Sequence, residues 1–205
     1  MKQQQDYIRD LSEIRSMMER TTKFLSLSGW AGIMAGVYAL FGTYLVHEVF
    51  HFSGDAYADE DMTYPADLTS VILTAVTVLV LAVGTAVLLS KQRAEKRKEH
   101  LWNPTSKRLL INMGIPLVTG GLFVLVLISK GLIGLVPPMT LIFYGLSLFI
   151  ASKFTYDDIK ILGLSLIALG LLGSYLTEYG LLFWALGFGV GHIIYGIYMH
   201  FKYER

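Results

Sequence analysis

Residues 161–203 read ILGLSLIALGLLGSYLTEYGLLFWALGFGVGHIIYGIYMHFKY, two apolar stretches joined by the short polar turn Thr177-Glu178-Tyr179-Gly180. Each arm has roughly the twenty apolar residues that a helix needs to cross about 30 Å of hydrocarbon. A helix on the surface of a soluble core would carry a polar face, and neither arm has one. The segment reads as a hairpin of membrane-spanning helices.

The same design recurs upstream. Gly163 and Gly170 stand seven apart in the first arm, as do Gly114 and Gly121, and Gly29 and Gly36. The second arms end alike, a glycine followed by a lysine: Gly84 and Lys91, Gly145 and Lys153, Gly196 and Lys202. The expectation is an all-α integral membrane protein with six spans as three repeated helical hairpins. The spans fall at about 24–46, 68–90, 109–129, 132–152, 158–176 and 180–201. If the hairpins repeat, Gly36, Gly121 and Gly170 should sit at close helix contacts, because packing of small residues, not water exclusion, joins helices in lipid.

Composition agrees with this reading. Of 205 residues, 54% are hydrophobic and 16% charged, against the usual quarter; mean hydropathy is +0.53. The spans fill the chain, leaving no room for a second domain. The net charge of +1 argues against nucleic acid as a partner. With no cysteine, thiol nucleophiles, thiolate metal sites and iron–sulfur clusters are excluded. Met1 to Lys23 carries charges throughout and is not a cleavable signal peptide. Tyr7, Ile8, Leu11, Ile14, Met17 and Met18 form a helical stripe, so 1–23 is expected to be a cytoplasmic amphipathic helix.

Orientation comes from the loops. His47 to Asp67 holds six acids and no lysine or arginine, while Lys91 to Arg108 is strongly basic. With the N-terminus inside and six crossings, every one of the 17 lysines and arginines except Lys130 lies on the cytoplasmic side. The positive-inside rule then puts both termini in the cytoplasm. Trp102 suits a headgroup-level anchor. Membrane lipids are the expected surroundings. Gly32 and Gly36 form a G-x-x-x-G pair that suits either intrachain packing, the reading preferred here, or a homo-oligomer. Pro116 is expected early in its helix and Pro137-Pro138 in a first turn, where a missing N–H costs little.

Two places carry candidate chemistry. His47-Glu48-Val49-Phe50-His51 fits H-E-x-x-H, in which two histidines on one helix face hold zinc and the glutamate activates bound water. Glu178, or an acid between Asp55 and Asp67, lies on the same side as a third ligand. Intramembrane metalloproteases resemble this, but they carry an aspartate–glycine motif in a later span, and no span here has one. Interfacial histidines are the preferred reading; a metal-binding protein or metallohydrolase, with zinc as cofactor and Glu48 as catalytic base, is the alternative. His192, near Tyr195, is the one ionisable residue well inside a span, about 20 Å below the outer turn and too far to join His47. A carrier of a small or lipidic molecule, with its cavity near His192, is a further alternative. No Ser-x-x-Lys, G-x-S-x-G, phosphate-loop or dinucleotide fingerprint is present.

The glycine spacing, with Tyr144-Gly145-Leu146 and Tyr195-Gly196-Ile197 in the second arms, resembles that of small six-span bacterial membrane proteins of the HdeD-like acid-resistance group. The likeness covers Leu109 to Tyr203 best and the first hairpin least. Families of this kind mostly lack an assigned biochemical activity, so no functional residue carries over; the expectation is a multi-pass, non-enzymatic inner-membrane protein with a role in membrane or envelope homeostasis.

Overall fold

The computed structural model describes residues 28–50, 68–96 and 102–204. The expected amphipathic helix at 1–23 and the acidic loop at 51–67 lie outside them. Among the described residues the chain is all-helical, with no strand. Helix α1 spans Gly29–Tyr44 and continues through a π turn, Leu45–Val49. Helix α2 is Leu68–Lys96, α3 is Pro104–Ser129, α4 is Val136–Ala151 and α5 is Ile159–Tyr175. Helix α6 runs through Gly180–Trp184, a π segment at Ala185–Gly191, and His192–Tyr203. Five of these are long and apolar enough to cross a membrane, and α5 is apolar but shorter, at 17 residues.

Helix starts and stops follow local chemistry. The third helix begins at Pro104, earlier than the hydropathy boundary near 109, because Asn103 caps it. The Asn103 side chain accepts from Ser106 N at 2.8 Å, and Ser106 Oγ accepts from Asn103 N at 2.9 Å. Proline at the first helical position completes the signal. Pro116 is consequently inside α3, not near its start as expected. Its missing N–H leaves the previous turn short of a donor. The Ser147 hydroxyl on α4, donated to Phe143 O at 2.9 Å, also lies 3.3 Å from Met113 O of α3, the carbonyl next to the one on Asn112 that the proline leaves without its donor. Pro137 and Pro138 open α4 as expected. Between α3 and α4, Gly131 takes φ +72°, and the pair of bonds Leu132 N to Leu127 O and Gly131 N to Ile128 O closes the helix end.

The most extensive packing is of α1 with α2, α1 with α6, α3 with α4, and α4 with α5; the first half of α6 also meets α5 and α4. Leu141, Leu148, Leu162, Leu166 and Met199 form the buried centre. Two crossings share one geometry. A Cβ built on Gly145 of α4 would lie 2.7 Å from Gly163 O of α5, and one on Gly163 would lie 2.8 Å from Gly145 O. Seven residues on, a Cβ on Gly170 would lie 2.8 Å from Pro138 O. In the α1–α6 crossing the matching values are 2.5 Å between Gly29 and Gly196 in both directions, and 2.6 Å from Gly36 to Gly189 O. Such approach of backbones is open only to glycine.

Gly36 and Gly170 thus sit where the sequence placed them, but Gly121 does not: a Cβ there would meet nothing within 4 Å. Its neighbour Gly120 is the tight one, against Phe143 at 2.5 Å. One residue turns a helical side chain by about 100°, enough to move from the α4 contact to an open face. The arms of the opening hairpin meet through Gly187 against Leu166 and Gly173 against Phe183. Nearer its C-terminus α6 packs on α1 instead.

Candidate functional site

His192 lies at the end of the π segment of α6 and is buried. Its Nδ1 is 3.0 Å from Gly187 O and its Nε2 is 3.3 Å from the Tyr144 hydroxyl on α4. A carbonyl only accepts, so Nδ1 carries the proton and Nε2 accepts from the Tyr144 O–H. Both nitrogens of a neutral imidazole are thereby engaged. Phe188 stacks on the ring at 5.7 Å and 16°. Beside it, Trp184 Nε1 donates to Thr140 Oγ1 at 3.1 Å. Polar groups at this depth join α6 to α4.

Tyr195, expected beside His192, is a different case. Its hydroxyl is buried and has no hydrogen-bond partner among the described residues. The partner that His192 does use, Tyr144, had no sequence signal, because the two are 48 residues apart on separate helices. Away from this centre, an apolar groove of about 230 Å³ lies between α1 and α2, lined by Phe41, Gly42, Leu73 and Val78.

A second polar cluster gathers at the basic end of the bundle, and sequence reasoning missed it. Glu204, just past α6, accepts from Gly29 N at 2.7 Å, pairs with Arg93 of α2, and faces His200 Nδ1 at 2.6 Å. Arg93 also donates to Tyr203 O at 3.0 Å and reaches the Tyr156 hydroxyl at 3.5 Å. The carboxylate thus caps the first turn of α1, where the helix dipole favours negative charge. Burial pushes the Glu204 carboxyl up, but His200, the Gly29 N–H and the Arg93 charge outweigh it and hold it below the usual glutamate value. Alongside, Lys202 Nζ donates to both Asp158 oxygens at 3.0 Å, and Tyr203 and Tyr198 donate to Asp158 at 2.6 and 3.1 Å. The start of α1, the end of α2, the α4–α5 turn and the end of α6 are tied into one clasp.

The outer motif is more open. His47 and Glu48 stand on the π turn that ends α1, with His47 Nε2 3.8 Å from Glu48 Oε1 and both side chains more than half exposed. His51 lies outside the described residues. Glu178, the proposed third ligand, is exposed in the 3₁₀ turn Thr177–Tyr179. No group of three or more metal-ligating side chains is assembled among the described residues.

No family model, no curated protein and no solved structure matches the chain.

Proposed function

We propose that this is a bacterial inner-membrane protein of six spans in three like hairpins, with both termini cytoplasmic, that acts without catalysis in membrane or envelope homeostasis. The observation that carries the reading is the use of its polar groups. His192, Tyr144, Trp184, Thr140 and the Arg93–Glu204 clasp each join one helix to another, a structural use of polar groups that supports this reading. The spans hold no Asp, Glu, Lys or Arg in their interiors, as a proton- or ion-coupled pump would require. The one-sided distribution of lysine and arginine supports the orientation. The arrangement of ends supports six crossings, since 17 residues of α5 reach about 25 Å, near the hydrocarbon thickness.

Complementation tests this. A strain lacking the protein should lose resistance to acid or detergent stress of the envelope. Wild type should restore it, and so should the triple variant His47→Ala/Glu48→Ala/His51→Ala. Full loss in the triple variant, together with stoichiometric zinc in purified wild type, would replace this reading with the metallohydrolase.

A further inference from the structure

This inference rests on the three-hairpin reading. In the two made crossings, a first arm with glycines seven apart lies against a second arm with a glycine near its lysine end: α5 on α4, and α1 on α6. The chain carries a third set of the same parts. Helix α3 has Gly114 and Gly121, and α2 has Gly84 ahead of Lys91. A Cβ on any of these three glycines would meet nothing within 4 Å. Between and beside them stand exposed apolar side chains, Leu81 and Leu88 on α2 and Val118 on α3. None of the most apolar stretch of α2 is buried, which sets it apart from every other long helix here.

We propose that these two open faces are complementary halves of a third glycine crossing, made between two copies of this chain. The made crossings define what fits each face. Gly84 corresponds to Gly145 and Gly196, and Gly114 to Gly163 and Gly29, so the face of α2 takes a helix patterned like α3. Each helix is already anchored to other neighbours of its own chain. Arg93 holds α2 in the clasp, and Leu68 and Val71 rest on the Val46–Ile133 cluster. Leu109 packs with Ala151, and Gly120 closes on Phe143, fixing α3 to α4. Bringing α2 and α3 together within one chain would disturb those contacts. A two-fold partner offers α3 to α2 and α2 to α3 at once, so both faces are covered by one isologous interface. Backbone approach over glycines is what helix association in lipid favours.

The chain has no cysteine, so introduced thiols report without background. Two differently tagged chains are expressed in one membrane, one with Gly84→Cys and the other with Gly114→Cys, and treated with a mild oxidant. A mixed disulfide carrying both tags is expected. The pair Val83→Cys and Ile115→Cys, exposed but turned off the faces, should give at least tenfold less. In addition, Gly84→Leu should lower the crosslinked fraction of a Gly114→Cys/Leu81→Cys reporter tenfold, with unchanged thermal stability of the monomer. No mixed disulfide, or a Gly84→Cys/Gly114→Cys double variant that closes solely within one chain, overturns the proposal. Failure of the underlying hairpin reading would appear elsewhere, as undiminished stability of Gly36→Leu and Gly170→Leu.

Discussion

Glu204 shows how much a single side chain at a helix end can hold. It reaches the first turn of α1, the guanidinium of α2 and a histidine one turn back on its own helix. Because its carboxyl is held below the usual value, the folded state favours the charged form. Its contribution is therefore complete above the ordinary glutamate value of about 4.3 and is lost as pH falls through the lowered folded value. Thermal stability in detergent should be flat from pH 7 to 5 on this account and decline below about pH 4. In Glu204→Gln the decline should be shallower, and at pH 7 the variant should be less stable by about 1–3 kcal/mol, since Arg93 keeps its charge without its partner. An unchanged acid slope in the variant would remove Glu204 from this role. No local pattern announces the clasp, since Arg93 and Glu204 are 111 residues apart. His192 was legible because an ionisable residue in an apolar run stands out. Its partner was not, because a tyrosine in a span has many ordinary uses.

At the scale of elements, glycine spacing was informative and glycine phase was not. Spacing alone marked Gly29, Gly36, Gly163 and Gly170, and all four lie where a second backbone passes. It also marked Gly114 and Gly121, which face open space, while Gly120 makes the contact with Phe143. Adjacent glycines leave the facing side undetermined, because the phase is set by which neighbour the helix meets. Hydropathy placed α3 to start late for a related reason: the Asn103–Ser106 cap is polar chemistry that a hydropathy profile does not register. Gly36→Leu and Gly170→Leu should each lower the melting temperature by several degrees, a loss on the order of 2 kcal/mol or more, since backbone must move to admit them. Gly121→Leu, with no neighbour to displace, should change it little in the detergent-solubilised monomer. Comparable losses for Gly121→Leu and Gly170→Leu would count against the observed phase of α3.

For the whole molecule, two features of different origin fit the proposed alternating path. One is the charge pattern, in which Lys130 is the lone basic residue away from the inner side of the proposed topology. The other is geometric: the clasp gathers the start of α1, the end of α2, the α4–α5 turn and the end of α6, as an even number of crossings between them demands. At the opposite end, Val46 and Ile133 are packed by Phe50, Leu68, Ile128 and Leu181, which are the remaining ends of α1, α2, α3 and α6. Lysine and arginine are retained on the cytoplasmic face during insertion, so a reporter that works in only one compartment reads this path directly. Fusions within 92–106 should be active as cytoplasmic reporters, and fusions within 55–63 as periplasmic ones. The decisive site is the α5–α6 turn: a periplasmic signal at Glu178 beside a cytoplasmic one at Lys153 requires that the short helix α5 cross. A cytoplasmic signal at Glu178 would leave α5 uncrossed and send Lys202 to the side opposite Asp158, against the 3.0 Å bond between them.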